Sequence, residues 1–478
     1  MQSIWTNCKI PARQRLSKDI FVDVAVIGSG MAGILTAYLL AKRGVDVAVL
    51  EAERIGSGQT AGTTAKITSQ HGHVYARLIE QVGRERAEQY ARINQAAIAE
   101  FERIIAQENI SCDFEKRPAF LYSTRETAPL EAEYLAARSL SLPATFVQPG
   151  ELPFPAVGAV KFTDQAQFHP LKFLKAVSEK VTVYEHSRVE RVEPDALHTE
   201  KHTVRARHIV FASHYPFVNK PGYYFARIHQ ERSYVVALVD APRLPGMYVS
   251  MDDDGHSIRM HGKTLLLGGE NHRTGENIPG RYDALLEAAA VMFPGAREVA
   301  RWSAQDAITL DGIPFIGRYA RSRPSWHVAT GFMKWGMTTS MAAAMILTDD
   351  ITGKRNKCAT VFRPQRFSTA ELPQLTRDGA QAVKGLVLSA APPEMALDAL
   401  PAGHGGVVDA GGRKLGAYRD PAGKVYLVTT RCPHLGCELN WNQDELSWDC
   451  PCHGSRFAYD GRLLSGPAQE GIKVDGAL

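Results

Sequence analysis

The stretch "FVDVAVIGSGMAGILTAYLLAKRGVDVAVLEAE", Phe21 to Glu53, decides the fold of most of this chain. A β-branched run ends at Gly28, and apolar residues then recur at helical spacing through Leu35, Leu39 and Leu40 until Gly44. A second apolar run ends at Glu51. The reading is strand, tight turn, helix, strand. Gly28, Gly30 and Gly33 set the spacing G-x-G-x-x-G, with Ser29, Met31 and Ala32 between them. The pattern is weak alone, but here it follows a strand, opens a helix and is answered by Glu51, where a carboxylate accepts from ribose hydroxyls. Glycine lets the backbone approach a pyrophosphate, and the helix N-terminus adds donors and partial positive charge. The fingerprint points to a dinucleotide and leaves FAD and NAD both open.

At 478 residues the chain is too long for one core. Lys+Arg 55 against Asp+Glu 51 gives +4 with no long like-charge block, which argues against nucleic acid as a partner. No apolar run approaches the roughly 20 residues of a membrane helix. The N-terminal residues lack an apolar core and a twin-arginine pair, so the expected location is cytoplasmic. Cys8, Cys112 and Cys358 are scattered and read as buried apolar fillers. Cys432, Cys437, Cys450 and Cys452 are grouped.

Helical periodicity from Leu78 to Gln107 reads as amphipathic scaffold. From about 114 to 303, short strand-like runs such as "RVERVE", "RHIVFAS", "RSYVVALV" and "KTLLLGGE" read as a second, mixed sheet inserted into the nucleotide-binding fold. The stretch "WHVATGFMKWGMTTSMAAAMILTDDITG" (326–353) returns to strand, turn and helix. The expected organisation is α/β: a Rossmann-like domain over 1–360 with its inserted substrate domain, a Pro- and Arg-rich linker over 361–394, and a small all-β domain over 395–478.

The segments "GTTAKIT" (62–68), "DGIPFIG" (311–317) and "GFMKWGMT" (331–338) resemble those of the flavin-dependent D-amino-acid oxidase and glycine oxidase superfamily. The resemblance, over roughly residues 20–357, implies FAD. It places Val189, Gly331, Phe332, Trp335, Gly336, Met337 and Thr338 beside the cofactor, with Thr63 and Thr64 nearer the isoalloxazine. It also implies hydride transfer from a carbon next to nitrogen. Residue type and placement nominate Lys66, Tyr224, Arg227, His272 and Lys334 as catalytic candidates, and Tyr248 and Arg259 as further substrate contacts. For His71 and His73 a helix-start or packing role is the stronger reading.

In "CPHLGCELNWNQDELSWDCPCHGS" (432–455), Cys432 and His434 form C-x-H, and Cys450 and His453 form C-x-x-H. Cysteine and histidine also make closed zinc sites, although those more often pair like ligands. The pattern, down to "CPHLGC" and "CPCHGS", closely resembles the Rieske iron-sulfur family. That resemblance implies a [2Fe-2S] cluster with Cys432 and Cys450 on one iron and His434 and His453 on the other. It further implies a Cys437–Cys452 disulfide, a covering loop at Gly466, Pro467 and Ala468, and a Ser455 hydroxyl donating to the cluster. Phe457 stands where high-potential members carry tyrosine, which implies a lower potential, and Tyr459 is a candidate substitute.

Both resemblances together imply an FAD-dependent oxidoreductase acting on a small amine or amino acid. Single electrons would pass through the cluster, its histidines facing outward, to an acceptor protein. The competing expectations are electron entry through the cluster from a donor protein, and a redox sensor whose cluster controls partner binding.

Overall fold

The structure is a computed structural model that describes residues 2–366, 376, 392, 393 and 395–474. Strand Ile20–Ile27 runs into helix Met31–Ala41 and strand Val47–Leu50, as the opening stretch requires. These strands lie in a parallel core between Thr182–Tyr184 on one side and Thr203–Phe211 on the other, with Arg323–Thr330 parallel beside Thr203–Phe211. The glycines of the turn have separate steric reasons. A Cβ on Gly33 would lie 1.9 Å from the Gly28 carbonyl oxygen, and one on Gly28, whose φ is +100°, would lie 2.7 Å from the Ala212 oxygen. Helix Gly336–Ile351, buried along most of its length, packs beside Met31–Ala41, so the late segment closes the first domain.

The second sheet has eight strands, in the order Arg297–Thr309, Ile228–Val239, Thr264–Arg273, Ser257–His261, Met247–Ser250, Ala119–Ser123, Gly158–Phe162 and Ala144–Val147. It is mixed, because Met247–Ser250 pairs parallel with Ala119–Ser123 and the rest pair antiparallel. The expected continuous insert over 114–303 is corrected to two excursions. Residues 182–211 return to the first sheet, so "RVERVE" and "RHIVFAS" supply strands there, whereas "RSYVVALV" and "KTLLLGGE" belong to the second. Strands of both sheets alternate in the same way along the chain, and only their pairing assigns them.

The first domain also extends past the expected boundary at 360. Arg366 bonds both oxygens of Asp311, at 2.6 and 2.9 Å, and stacks on Phe315. Most of the expected linker, 367–375 and 377–391, lies outside the described residues. From Met395 the chain forms two four-stranded sheets, Met395–Ala396 to Val425–Val428 and Asn440–Asn442 to Leu463–Ser465, with Trp448 in the core beneath the cysteine loops. No helix among the described residues is long and apolar enough to cross a membrane.

Candidate functional site

A cavity of about 840 Å3 opens at the Gly-rich turn and runs across strands Arg297–Thr309 to Met247–Ser250 of the second sheet. Gly28, Gly30, Met31, Ala32, Glu51, Thr63, Thr64, Val189, Gly331, Phe332, Trp335, Gly336 and Met337 all line it. Three expected neighbours do not. Ser29 is turned back, its amide and hydroxyl donating to Glu51 at 2.8 and 2.7 Å, and so fixes the carboxylate at the turn. Gly33 serves the turn–helix contact, and the Thr338 hydroxyl is spent on the amide and carbonyl of Thr68. The turn leaves room for a dinucleotide's phosphates. A Cβ on Gly30 would meet only Thr60 Oγ1, at 3.4 Å, so the backbone stays open to a close-lying group where the helix presents its first amides.

The catalytic candidates separate cleanly. Lys66 lines the cavity, and its ammonium bonds Thr64 Oγ1 at 3.2 Å and the Ser257 hydroxyl. Burial, helped by the neighbouring Arg259, pushes its pKa down to about 7. Lys334 also lines the cavity but is committed to Glu231 at 3.2 Å, Asp306 at 3.6 Å and Ser233 at 3.0 Å. Burial opposes its charge, yet the two carboxylates overcome it and raise its pKa.

Tyr224, Arg227 and His272 are corrections. Tyr224 is buried beneath the first sheet with its hydroxyl on the Tyr319 carbonyl at 2.8 Å. Arg227 holds the carbonyls of Pro364 and Arg366 at 2.6 and 3.0 Å and stacks on Phe315, pinning the end of the first domain. His272 sits between Tyr234 Oη at 3.1 Å and its neighbour's carbonyl at 2.8 Å. Each polar tip finds its partner inside the scaffold, which residue type alone does not reveal. Tyr248 likewise bonds Glu151 at 3.0 Å.

Arg259 donates to the Ala65 carbonyl at 2.8 Å behind Lys66. Among the described residues its Nε and Nη2 have no hydrogen-bond partner. His71 packs as expected, flat on Trp335 with Tyr90 and the Thr68 carbonyl on its nitrogens. His73 is half exposed, 4.0 Å from Glu133. Unforeseen from sequence is Trp5, whose buried indole donates to the Thr63 carbonyl at 2.7 Å and supports the cavity rim from the N-terminal segment.

In the C-terminal module the two loops bring Cys432, His434, Cys450 and His453 together. A hydrogen bond between Cys432 and Cys450 lowers the pKa of the first thiol and raises that of the second, so the two sulfurs face each other. The imidazoles lie edge to face with centroids 4.8 Å apart. His434 Nδ1 is buried with no hydrogen-bond partner among the described residues, the state of a nitrogen that fits an iron ligand. Cys437 and Cys452 are disulfide-bonded, and both sulfurs lie within 4.8 Å of Cys450 Sγ. This three-sulfur group includes the bridge, so the free thiols available to metal in the loops are Cys432 and Cys450. Ser455 Oγ accepts from the Ala468 amide at 3.0 Å, tying the Gly-Pro loop over the site. Phe457 is fully buried, and Tyr459 packs on Tyr418 and Tyr426 rather than standing in for the family tyrosine.

His434 and His453 do not both face solvent. The module docks with this tip against the first domain: His434 Nε2 bonds Asn219 Oδ1 at 2.9 Å, and Phe225 lies edge-on to both imidazoles. Gly275 and Gly454 permit the approach, since a Cβ on Gly275 would lie 2.5 Å from Pro451 and one on Gly454 2.6 Å from Gln230. Asp444 accepts from the amides of Gly280 and Arg281 at 3.0 and 2.9 Å, capping helix Arg281–Met292 from across the boundary. Glu445 joins Arg232 of the first domain to Arg456 of the module. Burial would raise its pKa, but the two guanidinium groups hold it down at about 2. Ser465 to Gln469, including the Gly-Pro loop, line the same cavity as the Gly-rich turn.

The nucleotide turn, the two-sheet body and the docked cysteine–histidine module define a flavoprotein fused to an iron-sulfur domain, and comparison with known proteins agrees. The FAD dependent oxidoreductase (DAO) family matches residues 23–350 and the Rieske [2Fe-2S] domain matches residues 392–474. The chain belongs to the DAO family and carries a C-terminal Rieske domain; its cofactors are FAD and a [2Fe-2S] cluster. It is 36% identical over 493 residues to "Putative Rieske 2Fe-2S iron-sulfur protein YhfW" of Bacillus subtilis (strain 168), covering 99% of this chain and 97% of that one. Its fold is similar to glycine oxidase from Geobacillus kaustophilus, with TM-score 0.62 and 20% identity over 73% of this chain and 99% of that one. It is also similar to L-proline dehydrogenase from P. horikoshii, with TM-score 0.64 and 18% identity over 74% and 98% of the two chains.

Proposed function

We propose that this FAD-dependent oxidoreductase oxidises a small amine or amino acid and delivers the electrons, one at a time, through its Rieske cluster to an external acceptor protein. The observation that carries the reading is the shared wall: Ser465 to Gln469 of the Rieske module bound the cavity into which the Gly-rich turn opens. When bound, FAD supplies two-electron hydride acceptance and the cluster one-electron transfer. The names of the similar folds fit an amine substrate but speak for fold alone.

The chain's own contribution centres on Lys66. Its amine, depressed to about 7 and lining the cavity, takes a proton from a substrate ammonium so that the nitrogen lone pair is free. Thr64 and Ser257 aim it, while Lys334, tied to Glu231 and Asp306, holds charge at the rim without being free to titrate with it. Because the Lys66 pKa is lowered, the active free-base form accumulates as pH rises through about 7. The kcat/KM profile is expected to rise with an inflection there. Lys66→Met should lower kcat/KM by about 100-fold and remove the inflection.

The deciding experiment is an anaerobic screen of amines and amino acids that follows flavin and cluster absorbance together. Flavin bleaching followed by cluster reduction supports the reading. Flavin bleaching with no cluster reduction overturns the relay, and cluster reduction by an added low-potential donor that then bleaches the flavin supports the reverse flow.

A further inference from the structure

Two glutamines that belong to no sequence motif join the walls of the two sites. Gln230 and Gln305 lie on adjacent strands, Ile228–Val239 and Arg297–Thr309, and are 1% and 0% exposed. The Gln230 amide donates to the carbonyl of His453 at 2.7 Å and to that of Gly466 at 3.2 Å. The Gln305 amide donates to the Gly454 carbonyl at 2.7 Å and to Gln230 Oε1 at 2.5 Å. All four amide hydrogens are thereby used. The Gln305 backbone N–H in turn donates to Oε1 of Gln59, a cavity-lining residue, at 2.7 Å. A hydrogen-bonded path therefore runs from the cavity wall through Gln305 to Gly454, and through Gln230 to a cluster-ligand residue and the covering loop.

Buried amides cost free energy unless fully paired, and a fully paired pair is rigid. The glutamines are not the module's sole anchors, because Asp444 caps a helix across the boundary and Glu445 ties it through Arg232, whose Nη1 donates to Gln305 Oε1 at 3.5 Å. What distinguishes the glutamines is their target, the main chain of the loop that carries His453. Space there is so tight that a Cβ on Gly454 would lie 2.6 Å from Gln230 Cβ.

We propose that Gln230 and Gln305 are positioning residues that set the rate of electron transfer from the flavin to the cluster, by fixing the His453 loop against the cavity. This rests on the direction of flow proposed above. In the step they serve, one electron passes from reduced FAD to a ferric iron of the cluster, oxidising the first and reducing the second. No bond is made or broken in either amide.

The test uses the full chain loaded with both cofactors and needs no substrate. Flash photoreduction of the flavin with EDTA as sacrificial donor is followed by cluster absorbance, in wild type and in Gln230→Met and Gln305→Met, which keep side-chain volume. The cluster EPR spectrum and midpoint potential are recorded for each. Expected is cluster reduction slowed by about tenfold or more with spectrum and potential unchanged, since small displacements of reacting groups carry rate costs of this order. Transfer at the wild-type rate in both variants overturns the assignment. Slowed transfer with an altered spectrum or potential also overturns it, because the amides would then act on cluster assembly. If the wild-type flavin never reduces the cluster, the proposed function itself fails; if only the variants match wild type, the amide link alone does.

Discussion

The cluster pocket and the flavin cavity are held together in opposite ways. The four candidate cluster ligands come from two short loops, stapled by the Cys437–Cys452 bridge and covered by one further loop. The cavity draws on the Gly-rich turn, the 51–66 stretch, the second sheet, the 331–337 turn and the Rieske module itself. The first site stands or falls with a few local links. The second is distributed, so damage at one wall leaves the others standing. Only the docking boundary belongs to both, and that is where a single change reaches furthest.

Glu445→Ala is expected to have the largest effect on stability. It leaves Arg232, 2% exposed, without its carboxylate in a buried boundary, at a cost of about 3–5 kcal/mol. Calorimetry should show the Rieske module melting separately from the flavoprotein body. The same contact gives a pH signature. Since the folded Glu445 pKa is depressed to about 2 from 4.5, its stabilisation is fully present above 4.5 and is lost as pH falls toward 2. Cys437→Ala follows, at about 2–5 kcal/mol to the module. Iron content and the EPR signal should fall while bound FAD is retained; equal loss of FAD would break the contrast between local and distributed sites.

Gly33→Ala strikes the other site. Its Cβ would lie 1.9 Å from the Gly28 oxygen, so the turn must open, at about 1–3 kcal/mol. FAD content should drop, with the cluster signal intact. Tyr224→Phe is expected to be smallest, about 1 kcal/mol from one buried hydrogen bond, with unchanged substrate kinetics because the hydroxyl serves Tyr319. A kinetic defect there would return Tyr224 to the catalytic machinery.

Legibility followed the same contrast. Cys432, His434, Cys450 and His453 could be read from spacing because a short loop fixes which side chains converge. Gly28, Gly30 and Gly33 could be read because steric demands within one turn select glycine. Tyr224, Arg227 and His272 were misassigned because residue type does not say whether a polar tip meets a cavity or a carbonyl in the scaffold. Gln230, Gln305 and Asn219 were missed altogether. Their partners across the boundary between the two domains lie more than 140 residues away, and nothing near them in the chain marks them.

The sequence by itself determined the turn that opens the first domain and the grouping of Cys432, His434, Cys450 and His453 in two short loops, because each depends on neighbours in the chain, and the two cofactor classes followed from family resemblance. Only the tertiary structure decided that the cluster tip turns inward, that the Gly-Pro loop walls the flavin cavity, and that residues 182–211 belong to the first sheet. Those outcomes depend on which buried amides, charges and strand edges satisfy one another across the whole molecule, a choice that local pattern leaves open.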